Sequence, residues 1–180
     1  DVPVLALPGN RDASEVIDRV LAEGPLRRDG RWPVGDWTLA LLDSFQPGEV
    51  GGRLGAAELA RLEDLLRHTH GPVLAALHHP AVAPEGCAPE MTLEDEAALW
   101  RLLEAHPQVK GVVWGHVHQA FDGHRAGVRA MATPSTCVQF RLLPDGVEVD
   151  PAPPGYRRLD LYPDGSLESQ VVRVPLAEPG

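Results

Sequence analysis

Short apolar runs that alternate with amphipathic segments constrain the fold of this chain more than any other feature. The runs that predict strands are Val2–Leu7, Trp37–Leu42, Val73–Leu77 and Val109–Trp114. The segments that predict helices are Ser14–Glu23, Ala56–Arg67 and Thr92–Ala105, and the last opens with Thr92 and Asp95 in the spacing of a capping box. Beyond about residue 128 the pattern changes to strands separated by turns. The order predicts an α/β fold in which helices pack on a sheet.

Composition narrows the partners and the location. The 180 residues, of which 43% are hydrophobic, suit a single domain over residues 1–180. With 16 Lys and Arg against 26 Asp and Glu, the net charge of −10 disfavours a nucleic-acid polymer as partner. No apolar run approaches the ~20 residues of a membrane-spanning helix. The two cysteines form no disulfide framework, so we expect a reducing compartment and a cytoplasmic protein.

Ligand-capable side chains follow three of the predicted strands. They lie in Gly9–Asp12, His78–Pro80 and Gly115–His118. Each cluster alone is weak evidence, because a Gly-Asn-x-Asp segment is also typical of a solvated turn. In an open α/β sheet, however, ligands gather beyond the carboxyl ends of the strands. In extended chain His116 and His118 would also point to the same face. Imidazoles and an amide oxygen that converge there predict a site for divalent metal.

The ordered motifs resemble a known family. Gly9-Asn10-x-Asp12, His78-x-Pro80 and Gly115-His116-x-His118 resemble the last three motifs of the calcineurin-like metallophosphoesterases. The segments at residues 133–140 and 154–159 are similar to the C-terminal part of bacterial class III 3′,5′-cyclic AMP phosphodiesterases. The resemblance extends over nearly the whole chain.

The resemblance implies a fold and an activity. The fold is a β-sandwich of two mixed sheets flanked by helices. The activity is hydrolysis of 3′,5′-cyclic AMP, a small cyclic nucleotide, to AMP. In the family, a hydroxide held between two divalent ions, typically iron, manganese or zinc, attacks the phosphorus.

The resemblance also implies roles for individual residues. Asn10, His78 and His116 match the ligands of one metal, and His118 matches a ligand of the other. His79 occupies a variable position and would support the ligands or face the substrate. Asp12 would support the site without binding metal.

Two departures from the family pattern bear on activity. No Asp-x-His or Gly-Asp motif precedes Asn10, so the chain looks N-terminally truncated, with ligands for one metal ion or none. Arg11 stands where the family has a histidine that assists the leaving group. An arginine stabilises negative charge but is a poor proton donor, and loss of general-acid catalysis costs about 10²–10⁴ in rate. Missing strands would also leave the edge at Val2–Leu7 open to self-association.

Three functions remain open on the sequence alone. The first is a metal-dependent cyclic nucleotide phosphodiesterase. The second is a truncated or degenerate non-catalytic relative that keeps at most one metal and acts as a binding or interaction module. The third is an α/β domain whose histidines are purely structural.

Overall fold

A computed structural model describes residues 2–12, 16–17, 19–20, 26–27, 30–143 and 146–175. In chain order the strands are β1 (Val4–Leu5), β2 (Leu26–Arg27), β3 (Arg31–Val34), β4 (Trp37–Leu41), β5 (Val73–Leu77), β6 (Val109–Trp114), β7 (Phe121–Arg125), β8 (Val128–Ala132), β9 (Gln139–Leu143), β10 (Gly146–Asp150), β11 (Gly155–Leu161) and β12 (Leu167–Arg173). The helices whose full extent lies in the described residues are α1 (Gly55–Arg67) and α2 (Glu96–Ala105), and a 3₁₀ turn covers Pro89–Met91.

The central layer is a six-stranded mixed sheet in the order β3-β4-β5-β6-β8-β7. Strands β4, β5, β6 and β8 are parallel, while β3 and β7 run antiparallel at the two edges. Strand β5 is an almost continuously buried apolar run, as expected for a parallel strand that is covered on both faces. The bounds predicted for β5 and β6 are confirmed to the residue.

Both faces of this sheet are covered. On one face, α1 and α2 bury Leu62, Leu66, Leu99, Trp100 and Leu103 in the main core. On the other face, the β11–β12 hairpin packs Leu159, Leu161 and Leu167 against residues of the sheet that include Leu74 and Met131. The α/β class is confirmed, with the hairpin as the second layer of a sandwich. In the described residues that layer is antiparallel rather than mixed, because its two strands are joined by a tight turn at Pro163–Gly165.

The predicted buried strand at Val2–Leu7 is wrong in extent and in burial. Only Val4–Leu5 pair, and they pair in parallel with β2 rather than with the six-stranded sheet. The side chain of Val2 is 87% exposed. An apolar run that no other layer covers has the same sequence pattern as a buried strand. The pattern alone therefore predicted burial that the structure does not show.

The predicted start of the third helix is also wrong. Helix α2 begins at Glu96, and the hydroxyl of Thr92 donates to the carbonyl of Pro89 instead of capping it. The carboxylate of Asp95 accepts hydrogen bonds from the backbone N–H groups of Leu54 and Gly55, at 3.0 and 2.7 Å. Asp95 therefore serves the start of α1.

Two further predictions can be compared with the described residues. Residues 16–17 and 19–20 are helical, as predicted for Ser14–Glu23, whereas Ser14 and Gly24 lie outside the described residues. In the part of the chain that is described, neither helix has the length and apolar character needed to cross a membrane.

Candidate metal centre

His78 and His116 meet because β5 and β6 are parallel neighbours. Leu77 pairs with Trp114 at the ends of the two strands, and the N–H of Gly115 donates to the carbonyl of His78 at 3.1 Å. Both histidines therefore emerge at the same edge of the sheet. The Nε2 atom of His78 lies 3.2 Å from the Nδ1 atom of His116.

Asn10 reaches the same point from outside the central sheet. Its Oδ1 atom lies 3.2 Å from Nε2 of His78. The turn that carries Asn10 is closed by Asp12, whose carboxylate accepts the N–H of Gly9 at 2.7 Å. A Cβ at position 9 would lie 2.8 Å from Cε1 of His78, so this close approach requires glycine. Asp12 thus closes the turn that carries Asn10.

The two clustered imidazoles are neutral at physiological pH. Burial, reinforced by the neighbouring histidines, lowers the pKa of His78 to about 3 and that of His116 to about 4. The Nε2 atom of His116 is buried and has no hydrogen-bond partner among the described residues. Neutral imidazoles carry the lone pairs that a metal needs.

The spacing of the three atoms fits a shared ion. Adjacent ligands about 2.0–2.1 Å from one ion, in tetrahedral to octahedral arrangements, lie about 2.8–3.4 Å from one another. Asn10 Oδ1 and His116 Nδ1 each lie 3.2 Å from His78 Nε2. One proton on His78 Nε2 can satisfy only one of these neighbours, whereas a cation satisfies all three lone pairs. The donor set of one amide oxygen and two imidazoles therefore suits a divalent transition metal.

His118 lies outside the group of ligand atoms that includes His78 and His116. We expected His116 and His118 to lie in extended chain with both side chains on one face, and the extended-chain premise is wrong because both have left-handed backbone, with φ of 66° and 53°. Such strain in non-glycine residues is typical of functional sites. The group of ligand atoms that lie within 4.8 Å of one another comprises His78, His79 and His116 among the described residues.

The orientation of His118 is set by the segment that follows β8. Its Nδ1 atom lies 2.8 Å from the carbonyl of Val138, and this hydrogen bond leaves the Nε2 lone pair free to bind a metal. The ring of Phe140 stacks on the imidazole, with centroids 4.6 Å apart. The buried Gln139 bonds both the N–H and the carbonyl of Ser135 and so closes the turn before Val138. The segment at residues 133–140 therefore orients the His118 imidazole.

His79 is fully buried, and both of its ring nitrogens have protein partners. Its Nδ1 atom lies 2.8 Å from the hydroxyl of Ser44, and its Nε2 atom lies 3.2 Å from the carbonyl of Val50. The carbonyl can only accept, so Nε2 carries the proton and Nδ1 accepts from Ser44. No lone pair remains for a metal. The His79 ring contacts the edge of the His78 ring instead, with centroids 4.9 Å apart.

Sequence reasoning missed Ser44 and Gly52. A Cβ at position 52 would lie 2.1 Å from His79 Nδ1, so the buried ring leaves room for a glycine only. The one available signal was the position of Ser44 just beyond the end of β4, in line with the ends of β5 and β6.

Arg11 is exposed, and its charge contributes to the lowered pKa of His116, which places it near the cluster. The group that could hold a metal, within the described ranges, contains no carboxylate.

Known proteins of similar sequence include cyclic nucleotide phosphodiesterases. No family model matches the chain. The 3′,5′-cyclic adenosine monophosphate phosphodiesterase CpdA of Vibrio vulnificus is 37% identical, over 93% of this chain and 62% of that protein. The 3′,5′-cyclic-nucleotide phosphodiesterase alr5338 of Nostoc sp. is 34% identical, over 96% and 66%. The chain is homologous to these phosphodiesterases. The resemblance noted in the sequence is thereby confirmed.

A third phosphodiesterase homologue matches a similar share of both chains. CpdA of Pseudomonas aeruginosa is 36% identical, over 96% of this chain and 64% of that protein. The chain thus spans just under two thirds of the length of the phosphodiesterases it matches. Among solved structures, a dimetal phosphatase from Danio rerio is 14% identical, with a TM-score of 0.48 over 78% of this chain and 58% of that one. A likeness this slight adds nothing about the fold or the site.

Proposed function

We propose that this chain takes part in the metal-dependent hydrolysis of 3′,5′-cyclic AMP to AMP. The observation that carries the proposal is the convergence of Asn10 Oδ1 and His116 Nδ1 on His78 Nε2, each at 3.2 Å. The names of the phosphodiesterase homologues support the choice of a cyclic nucleotide as substrate. The nitrogen and oxygen donors suit iron, manganese or zinc.

Each residue has a distinct task in this proposal. Asn10, His78 and His116 hold one ion, and Nε2 of His118 is free to hold another. When bound, the metal neutralises the phosphodiester charge and lowers the pKa of water. Arg11 stabilises negative charge on the departing ribose oxygen without giving up a proton, since its guanidinium stays protonated. His79 keeps the His78 ring in place.

A second candidate is a binding module that holds one metal and does not turn over. It is favoured by the absence of a carboxylate from the described metal-capable group and by the arginine at position 11. Such a module would bind metal but would form no AMP from cyclic AMP.

Hydrolysis of cyclic AMP separates the two candidates. The purified chain is incubated with Mn²⁺ and cyclic AMP, and AMP is quantified by chromatography beside hydrolysis of bis(p-nitrophenyl) phosphate. Turnover that disappears in His78→Ala and persists in His124→Ala supports the enzyme, because His124 is an exposed histidine on β7. Metal binding with no AMP supports the module.

The domain organisation, location and partners of the protein belong to the same proposal. We propose a single domain over residues 1–180 and a cytoplasmic location, since the two cysteines are typical of a reducing compartment. We also propose a small-molecule partner, because the charge of −10 disfavours nucleic-acid polymers. The exposed side chains of Val2 and Val4 favour self-association of the protein through the apolar segment at Val2–Leu7. Light scattering across a range of protein concentrations tests that last point.

A further inference from the structure

A hollow of about 250 Å³ lies beside His118, between the β9–β10 hairpin and the end of β12. Its side chains include Gln119, Phe140, Arg141, Asp150 and Arg173. The roles assigned above leave most of these side chains without a function. The hollow is smaller than the cavities of about 300–1,000 Å³ that enclose drug-sized ligands, so it suits one part of a nucleotide.

Gln119 presents a fixed hydrogen-bond acceptor to this hollow. Its Nε2 atom donates to the carbonyl of Phe140 at 2.9 Å, which determines the orientation of the amide. The Oε1 atom has no partner in the hydrogen bonds of the described residues and can therefore accept one from a ligand. A fixed acceptor selects for a ligand that carries an N–H donor.

The charges of the hollow do not favour a second phosphate. The carboxylate of Asp150 lies 3.7 Å from the Arg141 guanidinium and balances its charge. Arg173 donates from Nη1 to the carbonyl of Pro153 at 2.9 Å, which holds its guanidinium in place while the side chain stays half-buried. A guanidinium plane held in this way is a stacking surface for a nucleobase.

We propose that this hollow binds the nucleoside part of a cyclic nucleotide whose phosphate lies at the metal centre, with Gln119 and Arg173 as the specificity-determining residues. The inference rests on the proposed function, because His118 both lines the hollow and has an Nε2 atom that is free to bind a metal. Gln119 Oε1 accepts a hydrogen bond from the exocyclic amino group of adenine. Arg173 covers one face of the base.

The test uses nucleosides, which carry no phosphate. Adenosine and purine riboside are titrated into the full chain in the presence of EDTA, and heats of binding are measured by calorimetry. Purine riboside has a hydrogen atom in place of the amino group of adenine, so its base carries no N–H donor for Gln119. We expect adenosine to bind about three- to tenfold more tightly than purine riboside, the range for one hydrogen bond.

Variants assign the effect to the hollow. Arg173→Ala and Gln119→Ala should each weaken adenosine binding about three- to tenfold, and Gln119→Ala should also abolish the preference over purine riboside. Arg67→Ala is the matched control, because Arg67 is an exposed arginine at the end of α1. Melting temperatures show that each variant is folded. Saturation transfer to the adenine protons in the wild-type chain provides a readout that needs no variant.

Several results would overturn the inference. They are an absence of adenosine binding, equal binding in Arg173→Ala and Arg67→Ala, or displacement of adenosine by inorganic phosphate at constant ionic strength. The last would mean that the hollow takes an anion. These titrations contain no metal, so their outcome does not depend on the metal centre. Whether the chain binds metal is measured separately, by its metal content.

Discussion

The Nδ1 atom of His79 lies 2.8 Å from the hydroxyl oxygen of Ser44, and both residues are completely buried. This bond joins the end of β5 to the residues that follow β4. With Nε2 donating to the Val50 carbonyl at 3.2 Å, the ring is held at two points and cannot rotate. A buried polar group held in this way supports the adjacent His78 in a single orientation.

Ser44→Ala should destabilise the protein by about 1–3 kcal/mol, because it leaves a buried ring nitrogen without a partner. Urea unfolding followed by tryptophan fluorescence measures the change in the free energy of unfolding. Ser166→Ala is the control, since the Ser166 hydroxyl bonds the Asp164 carboxylate on the exposed surface. Equal losses in the two variants would argue against a supporting role for the buried bond.

Gly9→Ala should move the His78 imidazole, because the new methyl group would lie 2.8 Å from Cε1 of the ring. We expect metal affinity to fall more than tenfold, with a smaller change in the melting temperature. Gly115→Ala is the matched variant, since a Cβ there finds its nearest neighbours at 3.9 Å. Titration with Mn²⁺ compares the two proteins. Similar affinities in both would show that the packing of Gly9 against His78 is unimportant.

Part of the stability near neutral pH should come from Asp122 and be lost at low pH. Partial burial alone would raise its pKa, but hydrogen bonds and charge from Arg129, together with the charge of Arg157, lower the pKa below its ordinary value. Stabilisation by the carboxylate is therefore complete above the unfolded pKa of about 3.9 and is lost as the pH falls through the lower folded pKa. Asp122→Asn should reduce the melting temperature above about pH 5 and have a diminishing effect below pH 4.

The melting temperatures of wild type and Asp122→Asn, measured from pH 3 to pH 7, check this sign. A difference that stays constant over that range would show that the effect is steric rather than electrostatic.

Much of the scaffold could be predicted from the sequence, for a simple reason. Strand β5 is a continuous apolar run and β6 ends in one at Val112–Trp114, and parallel neighbours bring the residues after them to one edge. The meeting of His78 with His116 follows from that rule. The burial of Val2–Leu7 could not be predicted, because it depends on which layer covers the run.

The detailed geometry of the site could not be predicted from the sequence. The bond between His79 and Ser44 joins residues 35 positions apart, and no local pattern specifies it. The left-handed backbone at His116 and His118 is imposed by tertiary contacts, since most side chains disfavour positive φ. Local alternation could therefore not predict the backbone conformation at these two residues.

The most direct test of this account is the metal content of the chain. Wild type, His116→Ala and His124→Ala are dialysed to equilibrium against Mn²⁺ or Zn²⁺, and metal per chain is measured by mass spectrometry. The account predicts at least one ion per chain in wild type and His124→Ala, with loss of that ion in His116→Ala. Equal metal in all three proteins, or none in the wild type, would contradict it.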